Sequence, residues 1–296
     1  MLSGLVNSLP QNINTEMLVI ESIIPLREQL ASWRRSGQSI ALVPTMGNLH
    51  GGHMSLVKDA RKVADRIVVS IYVNPTQFVA GEDFTSYPRT FEQDHAQLDG
   101  KGVDVLFHPV TSEIYPDNTE QQVTVRVPSL DNIFCGKFRP GHFSGVATVV
   151  AKLFNIVQPD VAVFGEKDYQ QLLVIKKLVN DLCIAVKIIA SPTVRESDGL
   201  AMSSRNSYLT DDERKVAPAL FQVLNRVQDE IAKGNTAYTE IEQQAQAGLN
   251  QAGFVTEYIV IRNAKDLGEA GSGDLVVLAA VRLGKARLID NVVFRR

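Results

Sequence analysis

Three short polar segments of this sequence contain residue types that bind phosphate groups. The first, His50-Gly51-Gly52-His53, directly follows an apolar run and precedes a helical pattern. Glycines let a backbone approach a ligand closely, and the free N–H groups at the start of a helix favour an anion. Two imidazoles can donate further hydrogen bonds to phosphate oxygens. The segment therefore predicts a phosphate site, with a turn carrying two surface histidines as the alternative.

The other two segments supply cations. Lys167 lies in Gly165-Glu166-Lys167-Asp168, after another apolar run, and Arg205 lies in Met202-Ser203-Ser204-Arg205-Asn206, in a long loop. A lysine at a strand-to-helix junction can clamp a phosphate. Hydroxyls and a guanidinium on a mobile loop suit closure over a polyphosphate. A solvated helix start and a hydrophilic linker are the alternatives. The P-loop pattern of ATPases (GxxxxGKS or GxxxxGKT) does not occur, which excludes that class of nucleotide site.

Two glutamines could bind a small polar substrate. Gln77 follows a further apolar run in Asn74-Pro75-Thr76-Gln77-Phe78, and Gln171 lies one helical turn past the lysine segment. An amide both donates and accepts hydrogen bonds, which suits a hydroxy acid. A polar turn is the ordinary alternative for Gln77. His142 could reach the same site or cap a helix.

The sequence does not predict a metal centre built from side chains. There is no HExxH pattern and no third cluster of ligands beside the two histidines. Cys135 and Cys183 lie far apart in the sequence. We expect both to be reduced thiols of a cytoplasmic protein.

The elements that must position these segments alternate in type. Apolar runs occur at 40–43, 67–73, 103–107, 161–164 and 184–189, and helical patterns at 23–33, 53–64, 88–98, 146–157 and 168–180. Strands that are apolar on both faces and alternate with helices indicate a parallel sheet covered on both sides. We therefore predict an α/β fold with a Rossmann-like parallel sheet over residues 17–191. Such sheets bind ligands outside the carboxyl ends of their strands, where the polar segments lie.

The pattern changes near residue 192. A capping box, Thr210-Asp211-Asp212-Glu213, opens a helix that Pro218 should kink or restart. A second helix at 239–251 and strand patterns at 254–262, 274–281 and 286–294 follow. We predict a smaller α+β C-terminal domain over residues 192–296 that serves as a lid. Residues 1–16 are expected to be a disordered extension.

Composition excludes two classes of partner. The formal net charge is −3, from 30 basic and 33 acidic residues. This balance lacks the basic surface typical of a nucleic-acid-binding protein. No apolar run reaches the roughly 18 residues that span a bilayer, so no membrane partner is expected.

Taken together, the motifs resemble the pantothenate synthetase (pantoate–β-alanine ligase) family, from about Met17 to the C-terminus. The resemblance rests on VPTMGNLHGGH (43–53), VNPTQF (73–78), YPRT (87–90), RPGHFSGV (139–146), FGEKDYQQL (164–172) and GLAMSSRNSYLT (199–210). The histidine segment is similar to the HIGH motif of class I aminoacyl-tRNA synthetases and nucleotidylyltransferases.

The resemblance implies a two-step ligation. The carboxylate of (R)-pantoate attacks the α-phosphate of ATP to give pantoyl adenylate and pyrophosphate, and the amine of β-alanine then releases pantothenate and AMP. The resemblance also implies Mg²⁺ bridging the phosphates, a homodimer, and His53 as proton donor. The catalytic residues would be His53, His50, Lys167 and Arg205. Gln77 and Gln171 would bind pantoate, with the β-alanine pocket overlapping Gln77. The ATP site would comprise Met46, Gly47, Asn48, Leu49, His50, Gly51, Gly52, His53, Gly165, Glu166, Lys167, Asp168, Val194, Met202, Ser203, Ser204 and Arg205.

The sequence departs from the pattern at two positions. Gly51 stands where an acidic residue is often found, and Arg205 replaces a lysine of the KMSKS loop. Two other functions stay open. A nucleotidylyltransferase would share the histidine segment but would have no use for the two glutamines. A non-catalytic nucleotide sensor would bind ATP without turnover.

Overall fold

The computed structural model describes residues 16–271 and 273–294. The predicted N-terminal extension therefore lies, apart from Glu16, outside the described residues. The strands are β1 (Leu18–Ile20), β2 (Ile40–Thr45), β3 (Arg66–Ile71), β4 (Val105–Phe107), β5 (Val161–Gly165), β6 (Lys187–Ser191), β7 (Val255–Asn263), β8 (Leu275–Leu283) and β9 (Ala286–Phe294).

Helices connect the strands. They are α1 (Ile23–Arg35), α2 (Gly51–Ala60), α3 (Phe91–Leu98), α4 (Thr111–Ile114), α5 (Pro128–Asp131), α6 (Cys135–Phe138), α7 (His142–Val157), α8 (Tyr169–Asp181), α9 (Asp211–Val216), α10 (Ala219–Ala232) and α11 (Tyr238–Gln251). Short 3₁₀ turns occur at Pro75–Gln77, Glu166–Asp168 and Ser204–Tyr208. None of the helices within the described residues has the length and apolar character that crossing a bilayer requires.

Strands β1 to β6 form one parallel sheet in the order β1-β4-β3-β2-β5-β6. Alternate residues of the central strands face opposite sides, so Leu42 packs with α1 and α7, while Val43 packs with α2. Both faces are thus covered, and the predicted fold class is confirmed. Strands β3 and β4 lie on one side of β2, and β5 and β6 lie on the other side. The strand order therefore reverses between β2 and β5. In open α/β sheets, the crevice outside such a reversal is where ligands bind.

The C-terminal domain contains the antiparallel sheet β7-β8-β9. Helices α10 and α11 cover one face of this sheet with a separate apolar core. The predicted capping box is present, because the Thr210 hydroxyl accepts from the Glu213 N–H and the Glu213 carboxylate accepts from the Thr210 N–H. Pro218 lies at the N-cap of α10, so it restarts the helix as predicted.

Several predicted boundaries are wrong. Pro88 does not open α3, which begins at Phe91 with Thr90 as its N-cap. Helix α7 begins at His142 and not near 146, since Gly141 adopts a left-handed φ of 85° immediately before it. Pairing with β5 places β6 at Lys187–Ser191, later than the apolar run at 184–189.

Other differences concern α2 and β1. Helix α2 covers Gly51–Ala60, earlier than the predicted 53–64, because the histidine segment itself caps it. Strand β1 was missed, since three residues at a sheet edge are too short to show a pattern. Both cysteines are free, Cys135 buried and Cys183 exposed.

Candidate active site

A cleft of about 220 Å³ opens at the carboxyl ends of the central parallel strands. It lies where the segments after β2, β3 and β5 meet the loop that follows β6. The predicted site residues that line it are Met46, His50, Gly52, His53, Gln77, Gly165, Lys167, Asp168, Gln171, Val194, Met202, Ser203, Ser204 and Arg205. The structure thus brings together segments more than 150 positions apart in the sequence, as a parallel sheet predicts.

His50 and His53 cap helix α2 through their own side chains. Nδ1 of His50 accepts from the Gly52 N–H at 3.1 Å, and Nδ1 of His53 accepts from the His50 N–H at 3.3 Å. A nitrogen that accepts an N–H carries no proton, so each ring carries its proton on Nε2. The ring centroids are 4.1 Å apart. This double cap therefore fixes the tautomer of both histidines and leaves two Nε2–H donors.

Both imidazoles are neutral at pH 7. The pKa of His50 is lowered to about 4, first by burial and then by the charge of Lys167, with Asp168 opposing. The pKa of His53 is lowered to about 3 by burial, with smaller contributions from His50 and Lys167. The two rings can thus donate hydrogen bonds without carrying a positive charge.

Lys167 provides the positive charge beside the histidines. Its ammonium lies 3.9 Å from Asp168 Oδ2, and its side chain is 19% exposed. The 3₁₀ turn that carries it is fixed from the C-terminal domain, because Asn291 Nδ2 donates to the carbonyls of Glu166 (2.9 Å) and Lys167 (3.0 Å). Strand β9 therefore helps to position the lysine.

Gln77 is buried, and a polar network sets the direction of its amide. Asn74 Nδ2 donates to Gln77 Oε1 at 3.1 Å, while Gln77 Nε2 contacts the sulfur of Met46 at 3.0 Å. Tyr115 and Thr76 donate in turn to Asn74 Oδ1. The oxygen and the nitrogen of the Gln77 amide thus each have one protein partner, and these two contacts fix the direction of the amide.

His142 holds the backbone of Gln77. Its Nδ1 donates to the Gln77 carbonyl at 2.7 Å, and its Nε2 accepts from Arg139 at 2.9 Å. Arg139 is bound in turn by both carboxylate oxygens of Glu82. The helix-capping alternative for His142 is wrong, because Gly141 is the N-cap of α7. His142 acts on the site through Gln77.

The loop at 202–206 is attached to the N-terminal domain. Ser204 Oγ donates to the Asn48 carbonyl at 3.0 Å. Arg205 binds Asp83 through Nε (3.1 Å) and Nη2 (2.9 Å). Burial opposes ionisation of Asp83, but its hydrogen bonds and ion pair with Arg205 hold its pKa below the ordinary value. The Arg205–Asp83 pair, which we call the latch, joins this loop to the N-terminal domain beside the cleft.

Five predicted ATP-site residues do not line this cleft: Gly47, Asn48, Leu49, Gly51 and Glu166. The Leu49 side chain is buried in the core, and Glu166 lines a separate groove. Gly51 lies against Met202, since a Cβ there would be 3.0 Å from the Met202 sulfur. A side chain at position 51 would thus crowd Met202 of the loop at 202–206.

Sequence reasoning missed three residues that shape the site. Asn74 orients Gln77, Asp83 completes the latch, and Asp94 binds the backbone just before His50. Asn74 lay inside a recognised motif, so its spacing to Gln77 was a usable signal. Asp83 and Asp94 contact segments distant in the sequence, so no local sequence signal could have identified them. Among residues 16–271 and 273–294, no group of three or more His, Cys, Asp or Glu side chains could hold a metal ion.

Comparisons with known proteins agree with this geometry. A family profile described as pantoate-beta-alanine ligase matches residues 18–293. A pantothenate synthetase of Shewanella loihica is 50% identical over 282 residues, which cover 95% of this chain and 100% of that protein. A pantothenate synthetase of Neisseria meningitidis is 54% identical over 272 residues, covering 91% of this chain and 98% of the relative.

Solved structures show the same similarity. The pantothenate synthetase of Thermus thermophilus has a TM-score of 0.86 at 42% identity, covering 93% of this chain and 99% of that one. The pantoate-β-alanine ligase of Francisella tularensis, complexed with β-γ ATP and β-alanine, has a TM-score of 0.76 at 39% identity. The match covers 94% of this chain and 97% of the Francisella chain.

Proposed function

Because this chain belongs to the pantoate–β-alanine ligase family, we infer that it condenses (R)-pantoate with β-alanine in an ATP-dependent reaction. Pantoate and ATP first form pantoyl adenylate and pyrophosphate, and β-alanine then displaces AMP to give pantothenate. One observation carries this assignment to the cleft. Neutral imidazole donors, an ammonium group and two glutamine side chains line one cavity at the reversal point of the sheet. Such a set can bind a polyphosphate and a small acid side by side.

In the first step, His50, His53 and Lys167 would stabilise the charge that develops as pyrophosphate leaves. Transfer of an adenylyl group depends on positioning and charge stabilisation more than on covalent catalysis. His53 would donate a hydrogen bond from neutral Nε2–H, since its low pKa leaves it unprotonated at pH 7. It would thus serve as a neutral donor and not as an imidazolium acid. Arg205 lines the same cleft and would add positive charge to the phosphate site while it stays paired with Asp83.

Gln77 and Gln171 would hold pantoate. Asn74 and Met46 fix the direction of the Gln77 amide, which keeps a second N–H donor and a second acceptor lone pair for the carboxylate or a hydroxyl of the acid. Gln171 lines the same cleft. The wall beside them is apolar and includes Val146, Val150 and Phe164. A hydroxy acid with a branched carbon skeleton would pack against that wall.

We propose that Mg²⁺ enters with ATP. The described residues lack a cluster of side-chain ligands for it, so the phosphates would supply most of its oxygen ligands. Asp168 is the carboxylate that lines the cleft and could complete the coordination. Bound there, the ion would neutralise phosphate charge.

The second step needs an adenylate protected from water. We propose that residues 17–191 bind ATP and pantoate and that residues 192–296 form the lid. The Ser204–Asn48 and Arg205–Asp83 contacts support this division, since they join the two parts directly over the cleft. A closed lid would favour attack by β-alanine over hydrolysis.

We also propose a cytoplasmic homodimer. Leu18 and Val19 of β1 are 45% and 42% exposed, on a strand that pairs only with β4 among the described residues. An apolar edge of this kind favours burial against a second copy. Light scattering at several concentrations would measure the mass in solution.

The assay that tests the function measures release of pyrophosphate and AMP from ATP. We expect pyrophosphate only when pantoate is present, and AMP release with pantothenate only when β-alanine is added. Pyrophosphate release when a phosphorylated acceptor replaces pantoate would favour a nucleotidylyltransferase. ATP binding with no product would favour a sensor.

Lys167→Ala tests the site within the same assay. Loss of one positioned donor typically slows such a step by about 10²–10³. Lys177→Ala is the matched control, because Lys177 is 44% exposed on α8 and pairs with Asp181. Activity of Lys167→Ala within threefold of the Lys177→Ala control would remove Lys167 from the mechanism.

A further inference from the structure

The turn that precedes His50 has the backbone form of an anion-binding nest. Gly47 and Asn48 both adopt left-handed conformations, with φ of 81° and 49°. Successive N–H groups of a turn can converge on one concavity, which binds negative charge. Here the converging donors are the N–H groups of Asn48 and Leu49.

The anion in this nest is the protein's own carboxylate. Asp94 Oδ2 accepts from the Asn48 N–H at 2.8 Å, and Oδ1 accepts from the Leu49 N–H at 2.7 Å. The Thr90 hydroxyl donates to Oδ2 at 3.2 Å. Asp94 is only 1% exposed. Both of its oxygens are therefore bound to the turn, and these two N–H groups are not available to ATP.

Helix α3 also holds the turn from its other side. Gln97, one helical turn beyond Asp94, donates from Nε2 to the Leu49 carbonyl at 3.2 Å. The next residue, His50, begins the double cap through its N–H to Nδ1 of His53. The nest is thus one peptide away from the two imidazoles, and α3 holds both the N–H and the carbonyl of Leu49.

We propose that Asp94 is a positioning residue for the adenylation step. It fixes the Asn48–Leu49 backbone and so sets the place and tautomer of His50 and His53. This inference rests on the proposed function, because it assigns the histidines to phosphate stabilisation. Asp94 itself touches no substrate. It replaces an anionic ligand in the nest and makes the turn rigid before ATP arrives.

The test is Asp94→Asn in the full chain. An amide supplies one acceptor where the carboxylate supplies two, so one backbone N–H would face the NH₂ group. We expect the kcat of pantoyl-adenylate formation to fall at least tenfold. The KM for pantoate, and the reaction of preformed pantoyl adenylate with β-alanine, should change less than threefold.

Asp104→Asn is the matched control. Asp104 also accepts a backbone N–H, from Ile67 at 2.8 Å, and is 12% exposed, but it lies at the amino ends of the strands. The Asp104→Asn variant should be less stable than wild type, but its kcat should not fall as that of Asp94→Asn does. Nitrogen NMR of the histidine rings measures their tautomers, which a general loss of stability does not change. We expect Nε2–H tautomers for His50 and His53 in the wild type and Asp104→Asn, and mixed tautomers in Asp94→Asn.

A second variant, Gly47→Ala, tests the same proposal if Asp94→Asn does not fold. Gly47→Ala keeps the carboxylate but would place a Cβ 3.0 Å from Asp94 Oδ2 in a left-handed conformation. It should reproduce the loss of kcat and the mixed tautomers. The proposal is overturned if folded Asp94→Asn or Gly47→Ala matches Asp104→Asn in both readouts. A wild-type protein that forms no pantoyl adenylate would instead refute the proposed function.

Discussion

The imidazole of His50 performs two tasks with its two nitrogens. Nδ1 accepts the Gly52 N–H and caps α2, while Nε2–H remains for a ligand. Asparagine can imitate the first nitrogen, because its side-chain oxygen caps helices well, but it has no group at the position of Nε2. Glutamine reaches the second position but places its acceptor too far out to cap. Structural and chemical roles can therefore be separated at one residue.

We predict that His50→Asn keeps its stability and loses activity. Its free energy of unfolding should stay within about 0.5 kcal/mol of wild type, since the cap is retained. Adenylation should slow by about 10²–10³, as for loss of one positioned donor. His50→Gln should show the reverse, with a loss of about 1 kcal/mol and more residual activity. Urea unfolding and single-turnover adenylation measure the two effects. Equal losses of stability in both variants would contradict the capping role.

The buried histidines also predict how stability depends on pH. The pKa of His53 is about 3 in the folded protein, against 6.5 for the exposed group. Between these values the unfolded chain binds more protons, so the free energy of unfolding must fall as pH falls below 6.5. At 1.36 kcal/mol per pKa unit, His53 alone would account for about 2 kcal/mol at pH 5. Urea unfolding of His53→Asn at pH 7 and pH 5 should show a smaller decrease than wild type. His50 and His142, which are unchanged in both proteins, should leave part of the decrease in each. Parallel decreases would show that His53 does not titrate as described.

At the scale of elements, periodicity predicted the alternation of strands and helices because it reports burial. The runs at 40–43 and 161–164 became the two central strands beside the cleft. Boundaries were less predictable, since contacts from distant segments decide them. Pairing of β6 with β5 moved that strand by about two to three residues at each end, and α3 begins at Phe91, after Pro88.

The same division holds for the site. Segments that follow strands were predictable because the topology of a parallel sheet gathers them at one edge. Asp94 was not, since its partners lie 45 and 46 positions earlier in the sequence. Nothing near Asp94 distinguishes it from a surface carboxylate on a short helix. Only the packing of α3 against the turn reveals its partners.

Gly145 shows how closely α7 approaches the turn that carries Gln77. A Cβ at this position would lie 2.2 Å from the Thr76 carbonyl oxygen and 2.7 Å from the Gln77 nitrogen. Both neighbours are backbone atoms, so they cannot rotate away. The turn itself would have to move, and the Gln77 amide with it.

We therefore predict that Gly145→Ala raises the KM for pantoate by about tenfold or more and destabilises the protein by about 1–3 kcal/mol, as overpacking does. Gly248→Ala is the matched control, since it makes the same change in α11 with no atom within 4 Å. It should stabilise the fold by about 0.5–1 kcal/mol through helix propensity. Steady-state kinetics and thermal unfolding would measure both variants. An unchanged KM in Gly145→Ala would show that the turn moves without affecting pantoate.

At the scale of the whole molecule, we propose that the latch controls how long the adenylate is protected. Arg205 and Asp83 are 25% and 19% exposed in their side chains, so their ion pair is only partly screened by solvent. Together with the Ser204–Asn48 bond, it joins the loop at 202–206 to the N-terminal domain. A weaker latch would open more often and admit water to the activated acyl group.

We predict that Asp83→Asn releases more AMP than pantothenate. In wild type the two products should form in equal amounts, whereas hydrolysis of escaped adenylate in the variant adds AMP alone. Amide hydrogen exchange at residues 203–206 should accelerate in parallel. Asp198→Asn is the control, because it removes an exposed ion pair with Arg214 away from the cleft. Equal amounts of AMP and pantothenate in Asp83→Asn would mean that the latch does not control access of water.

The bonds from Asn291 to the carbonyls of Glu166 and Lys167 also impose an order on assembly during protein synthesis. All six strands of the parallel sheet have been translated by Ser191, about 100 residues before Asn291. At elongation rates of about 5–20 residues per second, that interval lasts roughly 5–20 s. A nascent chain can thus complete its first sheet while the lysine turn still lacks its support. Catalytic competence would be the last property that the growing chain acquires, and a ribosome stalled in the final strand would hold a folded but inactive sheet.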